Sequence, residues 1–106
     1  MRTLPLEVSD ALKRLGANIR LARVRRQMTQ AELARACQMT PKTLHDLEAG
    51  APGIAISKVF SVLWVLGLIA DAAALANPEN DEHGKTLELA RSPKRVRAQL
   101  DHENDF

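Results

Sequence analysis

Side chains with hydrogen-bonding capacity are concentrated in one short stretch of the sequence, residues 40–46. The stretch combines hydroxyl, ammonium, imidazole and carboxylate groups, carried by Thr40, Lys42, Thr43, His45 and Asp46. If the stretch is helical, Leu44 and Leu47 lie on its inner side and leave the polar groups on its outer side. A helix face so rich in donors and acceptors has the chemistry that reading base edges in nucleic acid requires.

Two capped helices are predicted to position this stretch. Thr29 and Glu32 stand at the spacing of a capping box, which predicts a helix over residues 30–37. Thr40 is a good N-cap and begins a second helix, predicted over residues 41–49. The short connection between the two forces a large crossing angle, which is the geometry of a helix-turn-helix. In that motif the second helix presents its outer face to the major groove of DNA.

Helical spacing extends to both sides of the motif. A first helix is predicted over residues 10–26 with Ser9 as its N-cap, and Gly16 is expected to let its first turns fray. Further helices are predicted over residues 56–66, 68–76 and 86–91, with residues 79–85 as a polar linker. The predicted fold is therefore all-α. It has a five-helix domain at residues 9–77, with the helix-turn-helix at 30–49, and a C-terminal extension at 78–106 with a short helix and a charged tail.

Composition narrows the class of protein further. The 106 residues suit one domain with a tail, and three aromatic residues leave a core of aliphatic side chains. A lone Cys37 excludes an internal disulfide and a cysteine-based zinc site, and His45, His83 and His102 lack metal-ligand spacing. No nucleophile and base, glycine-rich phosphate loop or carboxylate pair stands out. We therefore expect neither enzymatic activity nor a cofactor.

Charge is distributed unevenly along the chain. Residues 1–50 hold nine basic and five acidic residues, a net charge of +4, whereas residues 51–80 and 81–106 each carry −1. A basic N-terminal half favours a polyanionic partner. The longest apolar stretch, residues 62–70, is about half of the ~20 residues that cross a bilayer, and the N-terminus lacks an apolar signal segment. We expect a soluble, cytoplasmic protein without a membrane partner.

Residues 19–68 resemble the Cro/C1-type, or XRE-like, helix-turn-helix family. The resemblance rests on Thr29-Gln30-Ala31-Glu32-Leu33-Ala34 and on Thr40-Pro41-Lys42-Thr43-Leu44-His45-Asp46-Leu47-Glu48-Ala49-Gly50. It implies a λ-repressor-like five-helix bundle with a short, partly ordered C-terminal extension. It also implies a sequence-specific transcriptional repressor that binds palindromic double-stranded operator DNA as a homodimer.

The resemblance also implies a set of DNA contacts, made by Thr29, Gln30, Thr40, Pro41, Lys42, Thr43, His45, Asp46 and Lys58. Gln30 would bind a phosphate. Lys42 and Asp46 occupy the main base-reading positions, from which a lysine donates to guanine and a carboxylate accepts from cytosine N4. Pro41 departs from the polar residue often found at its position and offers only apolar contact.

Two further contacts are expected within and between protomers. Arg23 and Glu48 match a family pair that forms a salt bridge between the first and third helices. The apolar residues near the end of the domain exceed what so small a bundle needs in its core. An isologous dimer interface is therefore predicted at Trp64, Val65, Leu68, Ile69 and Leu75.

The C-terminal half is similar to the HipB-like antitoxins at residues 63–68, 76–78 and 93–97. That subgroup represses its own operon and binds a HipA-like serine/threonine kinase toxin, which implies the antitoxin of a type II toxin–antitoxin system on the bacterial nucleoid. A phage or restriction–modification-type regulator with no toxin partner stays open. The basic run at residues 91–97 has three interpretations: a second phosphate-contacting patch, a partner-binding segment or a solvated tail.

Overall fold

The computed structural model describes residues 3–91, and all regular structure in that part of the chain is helical. The elements are α1 Leu6–Arg25, α2 Gln30–Ala36, α3 Pro41–Glu48, α4 Ile56–Val65, α5 Ile69–Ala73, a 3-10 turn Pro78–Asn80 and α6 Glu82–Arg91. The all-α prediction is confirmed. The charged tail, with His102 and most of the basic run, lies outside the described residues.

The chain divides into two compact units between Ala73 and Ala74. The first contains α1 to α5, and the second contains the 3-10 turn and α6. The domain limits of 9–77 and 78–106 stay predictions.

An aliphatic core holds the first unit together. Each of its first four helices contributes one large side chain that is almost completely buried: Ile19, Leu33, Leu44 and Val62. Burying a side chain of this size contributes roughly 1.5–3 kcal/mol. The motif helices α2 and α3 pack against each other, and α1 packs against α3. The outer face of α3 is thus fixed by contacts on its inner face.

The structure corrects the predicted start of α1. The helix begins at Leu6, four residues before the predicted start, and Pro5 rather than Ser9 precedes it. The Pro5 carbonyl accepts hydrogen bonds from the amides of Val8 and Ser9, both at 3.1 Å. The first turns that Gly16 is expected to let fray are helical in the structure, and Gly16 is buried inside a helix that is continuous from Leu6 to Arg25.

The polar segment predicted as a linker at residues 79–85 is largely ordered as helix. A carboxylate oxygen of Asp81 accepts from the amide of Gly84 at 2.9 Å, which satisfies a free donor in the first turn of α6. The helix therefore begins at Glu82 and not at Thr86. A local cap outweighs the low helix propensity of Gly84 here.

Candidate nucleic-acid interface

The connection between α2 and α3 is set by the way α2 ends. The amide of Met39 donates to the carbonyl of Ala34 at 3.0 Å, and that of Gln38 donates to Arg35 at 3.1 Å. These two bonds form a Schellman motif, which turns the chain through a left-handed residue. That residue is Gln38, with φ of 57°. The turn delivers Thr40 directly to the start of α3.

Both motif helices begin with a threonine cap. The Thr29 hydroxyl accepts from the amide of Glu32, and the Glu32 carboxylate accepts from the amide of Thr29, each at 3.0 Å. The predicted capping box is confirmed. The bond from the Thr29 amide lowers the pKa of Glu32, because the charged carboxylate is the better acceptor. The Thr40 hydroxyl accepts from the amide of Thr43 at 3.1 Å and lies 2.9 Å from the Thr43 hydroxyl.

The inner and outer faces of α3 differ sharply in burial. Leu44 and Leu47 are buried in the core, as their spacing predicts. On the outer face Lys42 and His45 are exposed, and Asp46 is half-buried. The Lys42 ammonium donates to an Asp46 carboxylate oxygen at 2.9 Å. The two residues assigned to base reading are therefore bonded to each other in the free protein.

A buried ion pair joins α1 to α3. The Arg23 guanidinium donates to both carboxylate oxygens of Glu48, from Nε at 2.7 Å and from Nη2 at 3.0 Å. Its remaining nitrogen donates to the carbonyl of Met28 at 2.7 Å. Arg23 and Glu48 are each 8% exposed, so the structure brings together the two residues of the family pair and buries them.

The electrostatics of this pair favour its charged form. Burial raises the pKa of Glu48, but hydrogen bonds from Arg23 and Gln30 and the nearby arginine charges outweigh it, so the pKa is lowered. The hydrogen bond to Glu48 raises the pKa of Arg23 against the opposing effect of burial. Both groups stay charged because each is the hydrogen-bonded, oppositely charged partner of the other.

The pattern of the sequence gave no sign that Gln30 belongs to this network. Its side-chain amide donates to Glu48 Oε1 at 3.0 Å, across 18 residues of sequence. The resemblance alone predicts that Gln30 binds a DNA phosphate. One of its two amide hydrogens is used by Glu48, and the second stays available for another acceptor.

Gly16 is a second residue whose structural role the sequence pattern does not predict. A Cβ at this position would lie 2.5 Å from the carbonyl oxygens of Leu47 and Glu48. The absence of a side chain therefore lets α1 approach the end of α3, next to the ion pair. A glycine on the buried stripe of a helix was the available signal for a close approach.

The remaining predicted site residues lie at the start of α3 or later in the chain. Pro41 is exposed at the first position of α3, and Lys58 is exposed in the first turn of α4. Of the predicted dimer residues, Trp64 and Leu75 are 68% and 64% exposed and Ile69 is exposed at the start of α5. Val65 and Leu68 are half-buried against the core. Leu75 belongs to the second unit.

Neither a metal-binding cluster nor a membrane-spanning helix is found in residues 3–91. No group of three His, Cys, Asp or Glu side chains within that range could hold a metal ion. None of the helices described there is long and apolar enough to cross a membrane. Cys37 is half-buried at the end of α2, and burial raises the pKa of its thiol, which makes it a poor nucleophile.

Comparison with known proteins agrees with this geometry. No curated protein matches the chain. A family model described as a helix-turn-helix domain matches residues 14–76, more than half of the chain. The match runs from the middle of α1 through α5 and contains the buried ion pair and the outer face of α3. Families of this kind bind DNA, regulate transcription and are typically not enzymes. The chain therefore belongs to the XRE-like helix-turn-helix family of DNA-binding transcriptional regulators.

Proposed function

We propose that the protein is a sequence-specific repressor that reads double-stranded operator DNA with the outer face of α3. The observation that carries the proposal is the contrast between the two faces of this helix. Its leucines are buried, whereas its lysine side chain is 83% exposed and its histidine is exposed. A rigidly backed helix with a free polar face is what insertion into the major groove requires.

Contacts to the DNA backbone would come from residues around α3. Gln30 keeps one amide hydrogen for a phosphate oxygen while Glu48 holds the other, so the buried ion pair fixes the direction in which Gln30 points. Thr29 retains its hydroxyl hydrogen, and so does one of Thr40 and Thr43, whose hydroxyls are bonded to each other. Lys58 is an exposed cation on α4. These groups would make binding fall steeply as salt concentration rises.

A dimer would place two copies of α3 on a palindromic operator. One recognition helix covers a half-site, and two-fold proteins span half-sites about 34–36 Å apart. The proposed interface uses Trp64, Val65, Leu68, Ile69 and Leu75. Three of these apolar side chains are exposed. Their exposure to water is unfavourable, and burial against a second copy of the chain would remove this cost.

The finer proposal is that this repressor is a HipB-like antitoxin. It would act in the cytoplasm on the nucleoid, repress its own operon and neutralise a HipA-like serine/threonine kinase toxin. Its support is the similarity of residues 63–68, 76–78 and 93–97 to that subgroup. Repression would follow from occupancy, because a bound dimer covers the promoter.

The central experiment is selection of bound sequences from a random duplex library, followed by affinity measurements on the enriched operator. We expect a palindrome to be enriched. Lys42→Ala should weaken operator binding by about 1–3 kcal/mol and relax preference at one position. Lys85→Ala, which removes the same charge from α6, is the control and should keep the preference. Failure to enrich any sequence would contradict the proposal, and an equal loss on every sequence would reassign Lys42 to phosphate.

The dimer and the toxin need separate tests. Sedimentation at micromolar concentration should show a dimer that Trp64→Ala weakens, and a monomer would contradict the interface. If the adjacent gene encodes a HipA-like kinase, co-purification of the two proteins should yield a stable complex with lowered kinase activity. Operator binding without any such complex would favour a plain regulator over an antitoxin.

A further inference from the structure

The two charged residues on the outer face of α3 stand at the ends of the helix that disfavour them. Lys42 is the second residue of α3, whose first turn contains no acidic residue, and Asp46 lies in its last turn. A helix dipole favours anions at its N-terminus and cations at its C-terminus. Neither charge was therefore placed where it best stabilises the helix.

The ion pair between them does not compensate for this placement. A pair with the cation on the N-terminal side is the less favourable order on a helix. The Lys42 side chain is 83% exposed and that of Asp46 is 34% exposed, so water screens their attraction. Local rules broken on an exposed face are expected at functional sites.

A carboxylate is also an unusual group to place against DNA. Among the described residues of the outer face of α3, Asp46 is the only acidic one, and the phosphates of a bound duplex would repel it. Its repulsion is relieved only where a base offers it a donor. In the major groove the amino group of cytosine N4 is such a donor, and guanine O6 and N7 accept from lysine.

We propose that Asp46 is a specificity-determining residue, which weakens the binding of Lys42 to DNA other than the operator. Away from the operator, the Asp46 carboxylate lies 2.9 Å from the Lys42 ammonium, offsets its charge and repels phosphates, so the pair adds little to non-specific affinity. At an operator position with a G·C pair, guanine accepts a hydrogen bond from Lys42 and the cytosine amino group donates one to Asp46. Because the pair is weak, this exchange loses little and gains two base contacts. The inference rests on the proposed function and adds the part that Asp46 plays in weakening binding to other DNA.

Two duplexes and two matched variants test this inference. The full chain is measured by fluorescence anisotropy on its selected operator and on a scrambled duplex of the same composition and length. Asp46→Asn removes the carboxylate at the proposed position. Asp71→Asn makes the same change on α5, where the aspartate is exposed in the first turn of the helix.

We expect Asp46→Asn to raise affinity for the scrambled duplex several-fold and to lower the ratio of operator to scrambled affinity about tenfold or more. Thermal unfolding should show no loss of stability, which separates this effect from a structural one. Asp71→Asn should change both affinities by the same factor. An equal change on both duplexes with Asp46→Asn would overturn the inference alone. A wild-type chain that prefers no sequence would overturn the proposed function and the inference together.

Discussion

Two ion pairs end on α3, and they differ in almost every physical respect. Arg23 and Glu48 join two helices, are each 8% exposed and make two parallel hydrogen bonds. Lys42 and Asp46 lie on one helix, make one bond and are open to water. A buried pair has no solvent to replace a lost partner, whereas an exposed pair does. On α3, the buried pair therefore holds the helix in position, whereas the exposed pair can break when its side chains bind bases.

The largest effect is expected from removing one buried partner. Glu48→Ala leaves the Arg23 guanidinium buried without its carboxylate and leaves the Gln30 amide without its acceptor. We expect a loss of about 3–5 kcal/mol in the free energy of unfolding, measured by urea denaturation. A loss below about 1 kcal/mol would remove the distinction between the two pairs.

A double variant shows whether the stability lost in Glu48→Ala comes from the unpaired charge of Arg23 or from the lost side-chain volume. Arg23→Met together with Glu48→Met removes both charges and keeps much of the buried volume. Because replacement of a whole buried pair is often neutral, we expect most of the stability lost in Glu48→Ala to return. A double variant as unstable as the single one would assign the loss to packing around Met28 and Gln30 instead.

The close approach of α1 to α3 gives the next effect. Alanine normally favours a helix over glycine by up to about 1 kcal/mol. At position 16, however, the new Cβ would lie 2.5 Å from two backbone oxygens of α3. Gly16→Ala should therefore destabilise the fold by about 1–3 kcal/mol.

The neighbouring position supplies the control for this change. Ala17 is exposed on α1, so Ala17→Gly should lose only the propensity difference. Thermal denaturation of the two variants compares contact with propensity directly. If Gly16→Ala raises the melting temperature instead, α1 has room to move and the ion pair does not depend on a close approach.

The contrast between these pairs also explains what the sequence could predict. The capping box and the inward leucines depend on spacings of three residues, and both are confirmed. The bond from Gln30 to Glu48 spans 18 residues and depends on tertiary packing, so no local pattern signals it. Gln38 is left-handed although glutamine does not favour that region, and the closing bonds of the Schellman motif impose it.

The buried pair should also make stability depend on pH. The pKa of Glu48 in the folded protein lies below its ordinary value of 4.5, so folding favours the ionised carboxylate. This contribution is fully present above pH 4.5 and is lost as pH falls through the lowered pKa. The loss should be smaller than in Glu48→Ala, because a protonated Glu48 still fills its site and accepts hydrogen bonds.

Two neutral variants separate this contribution from other carboxylates. Glu48→Gln should flatten the decrease in melting temperature below pH 4.5. The capping carboxylate of Glu32 also has a lowered pKa but is exposed, so Glu32→Gln should flatten the decrease less. Equal profiles for Glu48→Gln and the wild type would show that other groups dominate acid unfolding.

The smallest effect on stability is expected from the exposed pair. Lys42→Ala removes one bond of a solvated pair and a cation that the helix N-terminus disfavours, so the two changes nearly cancel. We expect a change within about 0.5 kcal/mol by urea denaturation. Asp46→Asn removes an anion from the last turn of α3 and should leave stability unchanged or slightly raised. A loss comparable to that of Glu48→Ala in either variant would mean that the outer face also supports the fold. Base reading and stability would then no longer be separable on α3.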